Sequence, residues 1–274
     1  MIGRAVPVWS PALSISLIAW LLCACPASAP DGPTGAAAGQ GAVVNHAHQA
    51  SGPEVEALNE QARRAFLREN FTDALARSDE ALRRQPFELG ASLVKVESHL
   101  ALGESSAALS FAERLCAVRE GSAEAHYARG KALVALRRSS LALTAFERAL
   151  QLAPDDTESK LGLLSAMAHL QRFDLGHLEG LADEIVRAAP ALEAAVTHQL
   201  AIAHEQRGDL TKARTLYERA AESGDPLVHY NLARLLHETV GLMAARPHYQ
   251  RFLAHDRPAW RRERAEVMAL LQRE

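Results

Sequence analysis

The amino-acid sequence predicts an all-α solenoid of about six helix–turn–helix repeats that ends in a capping helix. Three observations predict this fold. Residue positions recur in step at intervals of 32 to 36 residues over residues 55–259. Each interval holds two apolar stripes with the i, i+4, i+7 spacing of amphipathic helices, divided by a short polar break. The sequence shows no strand-type alternation of any length, so we expect no β-sheet.

The composition of the chain agrees with close-packed helices and excludes several classes of protein. Hydrophobic residues make up 48% of the 274 residues, aromatic residues 5% and charged residues 23%. This balance excludes a long disordered chain, a multi-span membrane protein and a small disulfide-rich fold. The formal net charge of -3 provides no general basic surface, so we expect no nucleic-acid partner.

Residues 1–24 have the features of an export signal. Arg4 precedes an apolar run at 11–22, which is shorter than the about 20 residues that a membrane-spanning helix needs. The run ends in Leu-Cys-Ala-Cys at 22–25, which resembles the signal of bacterial lipoproteins. The resemblance implies that Cys25 is diacylated and becomes the first residue of the mature chain. It further implies an outer-membrane lipoprotein that faces the periplasm.

Two alternatives to lipidation stay open. Ordinary signal cleavage after Ala-Ser-Ala at 27–29 would release a secreted, non-lipidated soluble adaptor, although Pro30 directly after the cut fits such sites poorly. A retained membrane anchor is the other alternative. In the lipidated form Cys116 remains as an unmodified cysteine, and we expect it to be a buried structural thiol.

Residues 25–54 are predicted to form a flexible linker behind the lipidated cysteine. The stretch contains four prolines and five glycines, and its apolar residues follow neither a helical nor a strand period. A flexible coil of this length has an end-to-end distance of roughly 30 Å. The linker would therefore hold the folded part of the chain away from a membrane surface.

Three columns of residues keep the same phase through six units. Most members are small, which suits helices that cross at about 8–10 Å. The second column follows the first by twelve residues, and the third follows the second by seven. The columns are Ala62, Val96, Gly130, Ala166, Ala201 and Ala233; Ala74, Ala108, Ala142, Leu178, Ala213 and Ala245; and Ala81, Leu115, Ala149, Ile185, Ala220 and Phe252.

This pattern resembles the tetratricopeptide repeat, a helix–turn–helix unit of about 34 residues. The match is clearest in the fifth unit, at Gly208, Ala213 and Tyr217, whereas the fourth unit has about two extra residues in its turn. The resemblance implies a right-handed superhelix whose first helices line a concave inner face. The predicted units are 55–88, 89–122, 123–156, 159–192, 194–225 and 226–259.

Local signals also mark the end of the chain. Asp225-Pro226 has the composition of a helix N-cap followed by proline at the first helical position. Residues 258–274 combine Trp260, Val267 and other apolar residues with many charged ones. This segment is predicted to be an amphipathic capping helix that covers the open face of the last repeat.

The sequence contains no motif of a catalytic or metal-binding site. His204-Glu205 and His237-Glu238 begin like the helix of a zinc protease, but neither has a second His four residues after the first. A Gly-x-Ser-x-Gly turn and a phosphate-binding glycine-rich loop are also absent from the sequence. We therefore predict that the protein is not an enzyme and holds no cofactor and no metal.

The resemblance implies that a partner protein binds along the concave face formed by the first helices. The middle of this face is apolar and its ends are polar or charged, which suits a helical or extended partner segment with a hydrophobic centre. Several of its apolar residues would instead pack between neighbouring repeats under an alternative that stays open. The predicted groove residues are Asn59, Arg63, Phe66, Leu93, Glu97, Leu100, Tyr127, Lys131, Val134, Leu163, Met167, Leu170, His198, Ile202, Glu205, Tyr230, Arg234 and His237.

The sequence thus predicts a protein–protein interaction scaffold or adaptor at the bacterial cell envelope, with a partner that it does not identify. The layout resembles that of six-repeat lipoproteins that help the secretins of type IV pili to assemble, and of repeat lipoproteins that serve as adaptors for cell-wall enzymes. The alternative from another class is an envelope enzyme or metal-binding accessory protein. It would use groove residues, namely His198, His204, Glu205 and His237.

Overall fold

The computed structural model describes residues 52–170 and 173–272, and these two ranges are helical without any strand, as predicted. The predicted signal peptide, the lipidation site Cys25 and the linker up to residue 51 lie outside the described residues. The α-helices are α1 Pro53–Leu67, α2 Phe71–Arg84, α3 Leu89–Ala101, α4 Ser105–Val118, α5 Ala123–Ala135, α6 Ser139–Leu152, α7 Thr157–Ala168, α8 Leu175–Ala188, α9 Glu193–Gln206, α10 Leu210–Ala221, α11 Pro226–Thr239, α12 Leu242–Leu253 and α13 Arg261–Leu271. Short 3₁₀-helices span Pro190–Leu192 and Pro258–Trp260.

The first twelve helices pack in consecutive pairs, from α1 with α2 to α11 with α12, which gives six helical hairpins. This arrangement confirms the predicted all-α class and its helix–turn–helix units. Helix α1 begins at Pro53, inside the segment assigned to the linker, because proline has no N–H to satisfy at the first helical position. Within the described residues, every helix is too short or too polar to cross a membrane.

The turns of the first, second, third and fifth hairpins each have one residue in the left-handed backbone region. Gly103 and Gly208 occupy it in the second and fifth hairpins, with φ of 82° and 83°. In the first and third hairpins Glu69 and Arg137 stand there instead, with φ of 58° and 59°. A side chain in this region costs roughly 1–2 kcal/mol, so these two turns carry backbone strain that glycine would relieve.

Asp225 caps the N-terminus of α11 as the sequence predicts. Its carboxylate accepts a hydrogen bond from the backbone N–H of Leu227 at 2.8 Å, and Pro226 is the first helical residue. Asp156, Asp174 and Asp209 cap α7, α8 and α10 in the same way. Caps of this kind set where each helix begins and therefore keep the hairpins in phase.

The small residues of the three columns lie where helices come closest. Ala74, Ala108, Ala142 and Ala149 are fully buried. Glycine replaces alanine where the approach is closer still, because a methyl group on Gly130 or Gly162 would overlap the ring of Phe146. This ring is buried between the third and fourth hairpins and packs beside Tyr127, with ring centroids 5.8 Å apart.

The hairpins stack in two layers that differ in their contacts. The first helices α1, α3, α5, α7 and α9 contact each other in succession, whereas the second helices of neighbouring hairpins make no comparable contacts within the described ranges. A curved stack is most compact on its inner side. The first helices therefore form the inner face of the solenoid, as the resemblance implies.

The end of the chain does more than cover the last hairpin. Trp260 and Val267 are buried, and the indole lies 5.7 Å from the ring of Phe252 on α12. Beyond this expected contact, Arg257 forms an ion pair with Glu69 in the turn of the first hairpin, 188 residues earlier in the chain. The last and first hairpins are thus joined through Arg257, one residue before the segment that the sequence assigns to the cap.

Candidate partner-binding surface

The predicted groove residues lie on the first helices with one exception. Leu170 follows the end of α7 at Ala168 and belongs to the turn rather than to the helix. The reason is that α7 begins at Thr157, 34 residues after α5 begins at Ala123, so the extra residues lie in the turn after α7 and a spacing of 36 residues moves this position past the end of the helix. Sequence spacing alone therefore placed this residue wrongly on the helix.

Burial divides the predicted groove residues into two groups. The eight buried members have less than a tenth of their surface exposed, and they fill the interior between helices. The other ten are half-buried and keep part of their surface accessible. Whether any of them contacts a partner stays a prediction. The buried set is Phe66, Leu100, Lys131, Met167, His198, Ile202, Tyr230 and Arg234.

An ion pair joins the second and third hairpins on the inner face. Lys131 Nζ donates hydrogen bonds to both carboxylate oxygens of Glu97, at 2.6 and 2.7 Å. Only 7% of the lysine side chain and 17% of the glutamate side chain is exposed. The ammonium also lies 5.6 Å from the ring centroid of Tyr127. These charges neutralise each other and do not present a free charge to a partner.

A second polar contact extends this cluster to the fourth hairpin. Tyr127 Oη donates a hydrogen bond to Glu158 Oε2 at 3.3 Å. Burial raises the pKa of Glu158, and the nearby charge of Lys131 opposes this rise. Burial and the Glu158 carboxylate also raise the pKa of Tyr127 well above its ordinary value. The phenol therefore stays protonated and acts as a donor.

The fifth and sixth hairpins are joined by a more deeply buried ion pair. Glu205 accepts hydrogen bonds from Arg234 and, at 2.7 Å, from Tyr217 Oη. The side chains of Glu205 and Arg234 are 6% and 8% exposed. The carboxylate of Glu205 is thus committed to structure, which leaves it poorly placed to act as a general base.

Each histidine proposed for a metal site interacts with a different neighbouring side chain. His198 Nε2 lies 2.8 Å from the amide nitrogen of Asn231. The amide donates, so the imidazole accepts and is neutral, and burial lowers its pKa to about 3. His204 Nδ1 lies 3.3 Å from a carboxylate oxygen of Asp209, and the ring of His237 stands edge-on to Tyr249.

This separation counts against the metal-binding alternative. No group of three or more His, Cys, Asp or Glu side chains in residues 52–170 and 173–272 has an arrangement that could hold a metal ion. The set of His198, His204, Glu205 and His237 therefore does not form a ligand cluster.

Two inner-face residues are missing from the sequence prediction. Glu158 pairs with Tyr127 across 31 residues, and Asn231 pairs with His198 across 33. The Glu97–Lys131 pair spans 34 residues. A polar residue on one first helix thus tends to meet another about one repeat later, and this spacing is the signal that could have found both.

The fold and the inner face define this protein as a helical-repeat scaffold for protein–protein interaction. Two family models, each described as a tetratricopeptide repeat, match the chain at residues 123–156 and at residues 59–125 with 198–254. Together they cover more than half of the 274 residues. The chain belongs to the tetratricopeptide repeat proteins. Comparison with curated proteins gives no match.

Solved structures with the same fold are distant in sequence. PilW, described as a widely conserved type IV pilus biogenesis factor, is 18% identical with a TM-score of 0.56, over 75% of this chain and 96% of PilW. A thermophilic TPR protein of Thermus thermophilus is 19% identical with a TM-score of 0.55, over 66% and 98% of the two chains. A tetratricopeptide repeat protein of Parabacteroides merdae is 14% identical with a TM-score of 0.52, over 81% and 88%. These similarities concern the fold alone.

Proposed function

We propose that this protein is a lipid-anchored adaptor of the bacterial cell envelope that binds a segment of another protein on the inner face of its solenoid. Cys25 would carry the lipid, and the linker at 25–54 would place the solenoid in the periplasm at the outer membrane. The bound partner would be recruited to an envelope machine. The scaffold class of the family supports the binding activity, and the Leu-Cys-Ala-Cys sequence at 22–25 supports the anchor.

The observation that carries this proposal is the chemistry of the inner face. Leu93, Val134 and Leu163 are half-buried there, so each keeps part of an apolar side chain accessible. The Glu97–Lys131 pair beside them is already neutralised. A partner segment with a hydrophobic centre would gain affinity by covering these side chains, and a highly charged segment would find no free countercharge there.

The role in an envelope machine is supported by a different observation. PilW is a type IV pilus biogenesis factor, and 96% of its chain is covered by this one. We extend this role to the present chain as assistance in assembling a pilus- or secretin-like complex. Adaptors for cell-wall enzymes have the same layout, so the identity of the captured partner decides between the two roles.

Crosslinking in the cell envelope followed by a pull-down tests the binding surface. Leu163→Ala shortens a half-buried inner-face side chain, and Leu141→Ala is a matched control because Leu141 is exposed on the second helix α6. We expect Leu163→Ala to reduce capture of a defined partner that wild type and Leu141→Ala capture equally. Equal capture by all three folded proteins would exclude this part of the inner face as the recognition surface.

Incorporation of a radiolabelled fatty acid tests the anchor. We expect label in the wild-type protein and in Cys23→Ser, and no label in Cys25→Ser. Release of unlabelled wild-type protein into the soluble fraction would instead support the secreted adaptor without lipid. Label that persists in Cys25→Ser would contradict the assignment of the lipidation site.

A further inference from the structure

The turns of the first three hairpins all lie near the end of the chain. The residue in the left-handed position recurs every 34 residues, at Glu69, Gly103 and Arg137. Each of these three residues interacts with the segment 257–271, which we call the C-terminal segment. The equivalent turn positions of three successive repeats therefore lie near the same short segment of the chain.

The first two contacts are direct. Arg257 Nη2 donates a hydrogen bond to Glu69 Oε1 at 2.8 Å, and the same guanidinium lies 4.9 Å from the ring centroid of Trp260. At Gly103 the C-terminal segment comes so close that an added Cβ would lie 3.2 Å from the Cα of Ala259. Glycine at this turn thus leaves room for the segment as well as allowing the backbone conformation.

The third contact is electrostatic. Burial lowers the pKa of Arg137, the carboxylate of Glu263 on α13 opposes this effect, and the like charge of Arg262 on the same helix adds to it. Glu263 also acts on Tyr230 of the last hairpin. Helix α13 therefore lies near polar groups of both the third and the sixth hairpins.

The two charged turn residues have strained backbone conformations. Glu69 and Arg137 have positive φ values, where glycine is the favourable residue. Strained positions of this kind persist when the side chain has a role that glycine cannot fill. Glu69 is opposite in charge to Arg257, with which it pairs, whereas Arg137 lies near charges of both signs, Glu263 and Arg262.

We propose that the C-terminal segment is an intramolecular latch that ties the last hairpin to the turns of the first three and so holds the solenoid closed. The Arg257–Glu69 ion pair is its switchable part, because the glutamate side chain is half exposed and such a pair is sensitive to salt and to competing charges. Trp260 and Val267 stay seated on the last hairpin when the pair opens. Opening the latch would widen the access of a partner segment to the inner face, a consequence that rests on the proposed function.

Charge substitution with small-angle X-ray scattering tests the latch on the full chain without any partner. We expect Arg257→Glu and Glu69→Arg each to have a radius of gyration about 1 Å or more larger than that of the wild type, because a less compact chain has a larger radius. The double variant Glu69→Arg/Arg257→Glu restores the pair with its charges exchanged and should return to the wild-type value. High salt should expand the wild type towards the single variants.

The matched control is Glu54→Arg, which makes the same charge change in the same hairpin. Glu54 pairs with Arg84 inside that hairpin, so this variant should scatter like the wild type. Single variants as compact as the wild type would overturn the latch, and so would a double variant as expanded as the singles. Because no partner is present, this failure is distinct from a failure of the pull-down.

Cysteine crosslinking decides whether the segment docks within one molecule. In the variant Glu69→Cys/Arg257→Cys we expect a bismaleimide crosslinker, which spans the space of the two long side chains that a disulfide would be too short to bridge, to give an internally crosslinked monomer that is absent from the chain without these two substitutions. A covalent dimer would assign the segment to the turns of a second copy and overturn the intramolecular latch. Absence of any crosslink would overturn it as well.

Discussion

At the scale of single residues, the inner face of this solenoid is held by polar side chains that meet about one repeat apart. The Glu97–Lys131 and Glu205–Arg234 pairs are both largely shielded from water. Burying either charge alone would be expensive, and the pairing offsets that cost. Removing one member of a pair should therefore lower the free energy of unfolding by more than the small net contribution of the intact pair.

We expect Glu205→Gln to lower the free energy of unfolding by about 3 kcal/mol, because it leaves the buried charge of Arg234 with only the exposed carboxylate of Glu238, 3.6 Å away, as a counterion. Urea unfolding followed by circular dichroism measures this loss. Glu218→Gln is the control, since Glu218 pairs with Arg214 on the exposed side of α10. Its loss should stay within about 0.5 kcal/mol. Equal losses in the two variants would contradict the assignment of a buried pair.

Acid should destabilise the protein through its buried histidines. Burial lowers the pKa of His198 to about 3 and that of His169 to about 4, from 6.5. Between pH 6.5 and about 4 the unfolded chain therefore binds more protons at these sites than the folded chain, so stability falls as the pH is lowered through this window. Each group contributes a slope of up to about 1.4 kcal/mol per pH unit.

Urea unfolding at a series of pH values from about 7 to about 4 measures this slope. His169→Gln and His198→Gln should each reduce this slope by the equivalent of about one bound proton, because each removes a histidine whose pKa burial lowers. Glu158 acts in the opposite direction, because its raised pKa favours the folded state on acidification. A slope that is the same in all three proteins would contradict the role of the two histidines.

At the scale of helices, close approach sets the residue type. The column alanines are fully buried between the two helices of a hairpin, and the glycines at 130 and 162 leave room for Phe146. The alanines and Gly130 could be predicted from the sequence as column positions because every unit repeats the same contact. The end of α7 and the packing of Gly162 on Phe146 could not, because one depends on a local insertion and the other on a neighbouring hairpin.

We expect Ala149→Trp to lower the melting temperature, with a cost of about 1–3 kcal/mol, because a large ring does not fit where α6 meets its neighbours. Glu147→Ala on the exposed side of the same helix should change stability by less than about 0.5 kcal/mol. Thermal unfolding followed by circular dichroism compares the two. Similar shifts in both variants would mean that the phase of the repeats is wrong.

At the scale of the whole molecule, the end of the chain joins hairpins that are far apart in sequence. Trp260 is buried against Phe252 of the last hairpin, and Arg257 beside it reaches Glu69 of the first. The cap therefore contributes to the stability of the solenoid as a unit, beyond the amphipathic covering that its sequence predicts.

We expect Trp260→Ala to cost about 3 kcal/mol, as truncation of a buried aromatic side chain usually does. Met268→Ala on α13 is the control, since that side chain is half exposed. Hydrogen exchange should show faster exchange of α13 in Trp260→Ala and little change in Met268→Ala. Unchanged protection of α13 in Trp260→Ala would contradict the docking role of the indole.

The sequence by itself determined the all-α class, the pairing of helices into helix–turn–helix units and membership of the tetratricopeptide repeat proteins. It could do so because helical periodicity and small crossing residues act over short distances and recur in each unit. The tertiary structure alone decided which inner-face side chains are accessible, which polar groups pair, and that Arg257 meets Glu69. Such contacts depend on small rotations between hairpins that accumulate along the stack, and no local pattern of residues encodes their sum.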